Sequence, residues 1–325
     1  MNIYNIDHIP ELGLPEHQLP LVFSDKFLAI EAGNKEDVQV VVSDDRDILL
    51  PFFLRKSRFV KIIYPIHAPV SLTGPLTAER EQAFMERFVV FVSEKKLADK
   101  ITAPLHISAY QSALSKGHAT GFHVFKVNLQ NDFDGYLGRL PYKARYYIRK
   151  AEKAGVEVRF GHELMESFYQ VYKQHHLTEG IVPYDISYFQ NMIAQMRGNC
   201  LFAICSYEGK TEGVAFVLWD KEKSYYWCGA SDAPVHEGSN RLLQYRIMAY
   251  LMSLGVKEYI LGGAPEGGNP TGKKLNIERF KKSLSTDSYA GWHWYVVLSP
   301  FKIRTYDMLL LGYLKMKKLI GGGQG

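Results

Sequence analysis

Three β-rich runs separated by two tight turns constrain this chain more than any other stretch of it. They are Cys200 to Tyr207, Thr211 to Trp219 and Ser224 to Ala230, joined by Glu208-Gly209-Lys210 and by Asp220-Lys221-Glu222-Lys223. Runs of this length broken by turn residues predict an antiparallel meander. A sheet has two faces to cover, and the sequence on either side of the meander supplies helices to cover them. Before it come a basic helix (Tyr142 to Ala154), a short strand (Val156 to Phe160) and two amphipathic helices, Glu163 to Leu177 and Ile186 to Met196. After it, a helix from Asn240 to Leu254 places Leu243, Ile247, Leu251 and Leu254 at buried spacing and stops at Gly255. A strand (Val256 to Leu261), a Gly/Pro-rich loop (Gly262 to Gly272), a short helix (Ile277 to Leu284) and an aromatic strand (Tyr289 to Leu298) complete the order.

The first part of the chain repeats this order loosely. Strand-like runs at Lys26 to Glu31, Val38 to Ser43, Ile48 to Phe53 and Arg58 to Tyr64 predict a small antiparallel sheet. A helix over Ala78 to Leu97 follows, with Thr77 as its cap and Phe84, Phe88, Phe91 and Val92 at helical spacing. Strands at Lys100 to His106 and Phe122 to Leu129 bracket a short helical stretch near Tyr110, and Asn131 to Leu140 reads as a crossing segment. The expected fold class is α+β: two tandem domains, each a mixed, mostly antiparallel sheet flanked by helices. They span residues 1–128 and 129–299, followed by a basic amphipathic helix and tail over 300–325.

An apolar content of 46% with 22% charged residues is that of a folded globule and excludes disorder, collagen and coiled coil as the main state. The three cysteines, Cys200, Cys205 and Cys228, are odd in number and form no C-x-x-C pair, so neither a disulfide framework nor a structural zinc site is expected. No basic, apolar leader opens the chain, and no apolar run reaches the roughly 18 residues of a membrane span, so the expected location is the cytoplasm. The net charge of +5 is uneven. Residues 139–159 hold seven basic and two acidic side chains, and residues 270–325 hold ten and three. That distribution fits an anionic partner bound locally in the second half.

Within the basic helix, Lys143-Ala144-Arg145-Tyr146-Tyr147-Ile148-Arg149-Lys150-Ala151-Glu152-Lys153-Ala154-Gly155-Val156 resembles the R-x-x-I-x-K-A-x-K-x-G-V signature of the FemAB family of cell-wall aminoacyltransferases and their relatives. Gly238-Ser239-Asn240-Arg241-Leu242-Leu243-Gln244-Tyr245 resembles that family's helix opening after the meander. Gly262-Gly263, followed by Glu278-Arg279-Phe280-Lys281-Lys282-Ser283, resembles its G-G…F-K-x-x-[FL] ending. The three blocks cover about 160 residues in the family's order, and the first half adds only Leu50-Pro51-Phe52 and the loop after Tyr64. The resemblance implies a double GNAT-like fold that transfers an acyl or aminoacyl group to an amine. It implies either an aminoacyl-tRNA or an acyl-CoA as donor and a phosphate-bearing or lipid-linked cell-wall or polysaccharide precursor as acceptor, with no metal. Two departures matter. No long charged coiled-coil arm interrupts the second domain, which argues against tRNA docking of the staphylococcal type, and no stable nucleic-acid partner is expected. Residues 231–239 also hold a single glycine, so the Q/R-x-x-G-x-G/A phosphate loop of ordinary acetyltransferases is missing.

Acyl transfer to an amine needs a polarised carbonyl, a neutral amine and neutralised phosphates. In GNAT-like domains the carbonyl is usually met by backbone N–H groups at a splayed strand, so side-chain motifs under-report the site. The helix opening at Gly238, Ser239 and Asn240 offers N–H groups and a positive dipole end for a phosphate, though Ser239 could equally be only a cap. Arg145, Arg149 and Lys153 recur every four residues as a cationic stripe, beside Lys143, and read either as a phosphate-binding face or as a solvated one. The resemblance places Lys281 at the reaction cleft, as a cation for the oxyanion or a phosphate, with Phe280 and Gly263 beside it. His176, in the cluster of His175, Glu179, Tyr184 and Asp185, is the candidate base, against a capping or surface role. Cys205, Cys228 and the run Trp292 to Val296 read as core. Residues 300–320 carry leucines with lysines at one end, suited to the inner face of a membrane or to packing on the first domain, and packing is the favoured reading. The leading function is amide formation on a cell-wall or polysaccharide precursor. The alternatives are an acyl-CoA N-acetyltransferase of an amino sugar or amino acid, and a non-catalytic GNAT module that binds anionic glycans.

Overall fold

The computed structural model describes residues 1–5, 19–33, 37–129, 133–232, 234–266 and 272–309. The first half comprises β1 (Asn2–Asn5), α1 (Asp25–Gly33), β2 (Asp37–Val42), β3 (Ile48–Lys56), β4 (Lys61–Pro65), β5 (Val70–Ser71), α2 (Ala78–Glu94) and β6 (Lys100–Ile101). Next come β7 (His118–Asn128), α3 (Phe133–Arg139), α4 (Tyr142–Lys153), β8 (Glu157–Phe160), α5 (Met165–Thr178) and α6 (Ile186–Met196). The meander is β9 (Cys200–Tyr207), β10 (Lys210–Trp219) and β11 (Lys223–Ser231), followed by α7 (Ser239–Ser253), β12 (Glu258–Pro265), α8 (Lys273–Leu284) and β13 (Asp287–Val297).

All the strands join one twisted sheet in the order β1-β2-β3-β4-β6-β13-β7-β12-β11-β10-β9-β8, with β5 paired to β3. Both halves use the same plan: three antiparallel strands, a helix, then a strand parallel to the third. In the first half β4 runs parallel to β6 after α2, and in the second β11 runs parallel to β12 after α7. The tandem α+β architecture is therefore present, with mixed, mostly antiparallel sheets flanked by helices.

The two sheets are not separable. β7, which local sequence assigns to the end of the first domain, lies between β12 and β13 in the second sheet. β13 in turn pairs with β7 along most of its length and with β6 through Val296 and Val297. Helix α1 packs against α6, where the Tyr188 hydroxyl donates to Glu31 Oε1 at 2.6 Å in a buried contact. One core cluster accordingly mixes Phe27, Leu28 and Ile30 of the first half with Phe168, Phe189 and Phe216 of the second. A second cluster lies under α4 and α7, and a third under α2.

Strands β9 and β10 are buried on both faces, with α5 and α6 on one side and α7 on the other, which explains their unbroken apolar runs. Helix α6 starts at Asp185, whose carboxylate accepts from Ser187 N at 2.9 Å, and α2 starts at Thr77, whose hydroxyl accepts from Arg80 N. Local reading differs from the structure in five places. Lys26 to Glu31 is helical: Ser24 Oγ accepts from Phe27 N, and Phe27, Leu28, Ile30 and Glu31 bury a helical face. The strand at Lys100 covers two residues only, and Tyr110 sits in a bridge to Trp292 rather than in a helix. The crossing segment contains α3, and β12 continues through Gly262 and Gly263 to Pro265. After β13, residues 300–309 are helical, and the remainder of the predicted C-terminal helix lies outside the described residues.

Candidate active site

Strands β11 and β12 pair over three residues, Lys223 with Glu258, Ser224 with Tyr259 and Tyr225 with Ile260, and then part. A bulge in each strand drives the separation. Trp227 is an extra residue in β11 between Tyr226, opposite Val217, and Cys228, opposite Phe216. Leu261 is an extra residue in β12 between Ile260 and Gly262. Bulges bend a strand and increase its twist, so β11 follows β10 in one direction while β12 follows β7 in the other. Gly262 has φ +80, and a Cβ there would meet the His106 ring at 2.7 Å and Lys281 Nζ at 3.0 Å. Only glycine fits both the backbone and the space.

The parted strands enclose a cleft of about 550 Å³. Its walls are Tyr226 to Ser231 of β11, His175 and His176 of α5, Asn240 and Gln244 of α7, and Phe280 and Lys281 of α8. The Lys281 ammonium is nearly buried and has no carboxylate partner among the described residues; its polar contact is the Gly263 carbonyl at 3.4 Å. Burial lowers its pKa from 10.5 to about 8. Opposite, His176 Nδ1 donates to the Tyr172 carbonyl at 2.9 Å while the ring packs on Tyr172, which puts the basic nitrogen of the neutral ring at Nε2. His175 Nδ1 donates to the Ser231 carbonyl at 3.2 Å and ties α5 to the end of β11. Asn240 Nδ2 donates to Ser231 Oγ at 3.2 Å.

The residue that spans the fork is His106, on the loop between β6 and β7. Its carbonyl accepts from Gly263 N in β12 at 2.8 Å, and its ring lies beside the Tyr226 carbonyl in β11. Burial, and then the Lys281 charge, lower its pKa to about 4, so the ring is neutral. Sequence reading missed His106 because it lies in an irregular loop of the first half, and no spacing links it to Lys281.

The other expected binding residues divide. Gly263 holds Lys281 through its carbonyl, and Phe280 lines the cleft. Gly238 brings α7 against α4: its φ is +98, and a Cβ would lie 2.1 Å from the Tyr147 carbonyl. Ser239 is fully buried and donates to Glu212 Oε2 at 2.6 Å, while Glu212 Oε1 accepts from His236 N at 2.9 Å. The Ser239 hydroxyl and part of the positive helix end are thus already met by an internal carboxylate, which corrects the expectation that this hydroxyl reaches a phosphate. Arg149 is exposed and Arg145 donates to the Gly138 carbonyl; neither lines the cleft that holds Lys281. Elsewhere on α4, Lys150 pairs with Glu237 at 2.5 Å and Glu152 with Arg246 at 2.9 Å. Lys143 stands over the Tyr147 ring, whose vicinity it shares with Arg241. Arg241, passed over in the sequence, lies between Tyr147 at 5.4 Å and Phe280 at 5.6 Å. Its Nε is buried with no hydrogen-bond partner.

Cys200 and Cys205 are core residues whose thiols burial pushes up to about 12. Cys228 faces the cleft, with a thiol that burial also holds in its protonated form. Among the described residues no group of side chains could hold a metal ion, and no helix is long and apolar enough to cross a membrane.

Residues 139–282 match the family model of the acetyltransferase (GNAT) domain. No curated protein sequence matches the chain. Among solved structures the chain is similar to FemX, with a TM-score of 0.63 at 15% identity, covering 93% of this chain and 98% of that one. It is similar also to the C-terminal (DUF2156) domain of an assigned lysylphosphatidylglycerol synthetase from Agrobacterium fabrum, with a TM-score of 0.58 at 14% identity over 94% and 96% of the two chains. L-PGS from Bacillus licheniformis gives a TM-score of 0.51 at 12% identity over 80% and 84%. At these identities the structural likenesses establish the fold alone. The parted strands and the repeated plan agree with both likenesses: residues 139–282 match the acetyltransferase (GNAT) domain, in a chain that shares the fold of FemX.

Proposed function

We propose that this protein forms an amide on an amine of a cell-wall or polysaccharide precursor, using an acyl or aminoacyl group delivered as an ester or thioester. The observation that carries the proposal is one cleft, opened where β11 and β12 part, that has the carboxylate-free Lys281 on one wall and His176 on the other. The acceptor nitrogen attacks the donor carbonyl, a C–N bond forms, and negative charge collects on the carbonyl oxygen. Backbone N–H groups of the parted β11 and the Lys281 cation stabilise that oxyanion. His176 takes the proton from the amine and passes it to the donor's oxygen or sulfur as the tetrahedral state collapses and the C–O or C–S bond breaks, releasing the alcohol or thiol. A cleft of about 550 Å³ suits the reacting ends of donor and acceptor, while their phosphates extend towards Arg241 and Lys143 at the α4–α7 crossing. The acceptor class rests on the FemAB-like sequence blocks, and a fold shared with a domain assigned to a lysylphosphatidylglycerol synthetase agrees with an aminoacyl donor.

The test is transfer of labelled acyl groups from acetyl-CoA and from aminoacyl-tRNA to nucleotide-linked muropeptides and to amino sugars. One donor–acceptor pair should give an amide product that Lys281→Ala loses by roughly 10²–10³-fold in kcat. Failure of every donor to bind the intact protein would leave a glycan-binding module and end the enzymatic reading.

A further inference from the structure

We infer that the end of the first sheet where β3 turns into β4 is a docking surface for an anionic lipid bilayer. It is built from the β3–β4 hairpin tip and the helix over residues 300–309. Two segments far apart in sequence meet there: Val60, just past the tip, and Ile303 of the helix are buried in one small cluster with Ile62. Each segment then carries a phenylalanine outward. Phe59 is 57% exposed at the tip and Phe301 is 84% exposed on the helix, where Met308 and Leu309 are exposed as well. Ile303 faces the sheet, so Phe301, Arg304 and Met308, at spacings of three and seven from Phe301, share the face turned away from it. These are protruding side chains rather than a groove. They have no preformed pocket to fill, and they match a partner that yields around them, as the boundary of a bilayer does.

Charge around them identifies the kind of bilayer. Arg58, whose guanidinium stands 5.8 Å from the Phe59 ring, Lys61 and Arg304 have no carboxylate partner among the described residues. The nearby acids are largely engaged. Asp37 pairs with Lys56 at 2.5 Å, and Asp99 accepts from Lys302 Nζ at 3.0 Å and from Lys61 N at 2.9 Å. Asp307 is the exposed acid on the helix. Cations ringing exposed aromatics complement a surface of acidic headgroups over an apolar interior. The inference does not depend on which acceptor the cleft uses.

Flotation of the intact protein with vesicles tests it. Protein should float with vesicles of phosphatidylcholine and phosphatidylglycerol, remain below with phosphatidylcholine alone, and be released by salt. All the positions to be changed are exposed, so the variants are expected to fold. Phe59→Ser with Phe301→Ser, and separately Arg58→Glu with Arg304→Glu, should each lower the partition coefficient by about ten-fold or more. Absence of flotation with the acidic vesicles, or flotation that neither pair alters, overturns the inference. So does binding that an acidic polypeptide such as polyglutamate supports and vesicles do not.

Discussion

Burial moves the Lys281 ammonium from its ordinary 10.5 down to about 8, because the folded chain surrounds it without supplying an anion. Between those values the unfolded chain holds a proton that the folded one has released, so stability rises with pH across that window and the full cost applies below it. At about 1.4 kcal/mol per pH unit the cost near pH 7 is roughly 3 kcal/mol. Lys281→Met should therefore lose activity and yet, at pH 7, unfold at a temperature no lower than the parent protein; a clearly lower one would show that the ammonium is not under strain. In activity the sign is reversed. A lysine that works as a cation should give a kcat/KM that falls as pH rises through about 8, and Lys281→Arg should remove that limb, since arginine stays charged. The sequence marked Lys281 and Phe280 through a family block and His176 through a cluster of titratable side chains. It did not mark His106 or Arg241, whose importance comes from what they touch: the carbonyl of Tyr226 for one and the rings of Tyr147 and Phe280 for the other. His106→Ala should lower kcat by at least about ten-fold and raise the pH of the Lys281 limb, as water enters the fork that the ring fills; an unchanged pH profile would assign His106 to packing alone.

At the scale of elements, the start of α7 shows how an apparent binding motif can be internal architecture. Glu212, carried by β10, accepts from both Ser239 Oγ and His236 N, and it is buried. Glu212→Ala would leave a hydroxyl and an N–H without partners and should cost about 1–3 kcal/mol of stability in denaturant titration. Gly238→Ala should cost at least as much, because the new Cβ would press on the Tyr147 carbonyl in a left-handed backbone conformation. The meander β9 to β11 and helix α6 were legible to within a residue or so. Their turns, caps and apolar periods are local, and local chemistry sets them. Helix α1 was misread as a strand because Lys26 to Glu31 is a short apolar run that fits either element, and the Ser24 bond to Phe27 N with packing on α6 decides it. The bulges at Trp227 and Leu261, which create the cleft, were not legible, since each is defined by register against a partner strand.

For the molecule as a whole, the repeat of meander, helix and parallel strand was visible as a loose echo of element order, but the way the halves are joined was not. No local pattern reports that β7 belongs to the second sheet or that β13 serves both. Because strands, the α1–α6 contact and one core cluster all cross between halves, equilibrium unfolding should be a single transition by circular dichroism and by tryptophan fluorescence. Two separated transitions would show that the halves are independent. The position of β13 also bears on how the chain is made. Synthesis delivers β6 and β7 long before the strand that closes both of them, so a chain still on the ribosome carries two open strand edges. Newly made copies should thus depend on holding chaperones until residue 297 has emerged, and folding yield should fall steeply with temperature during synthesis while the finished protein stays stable.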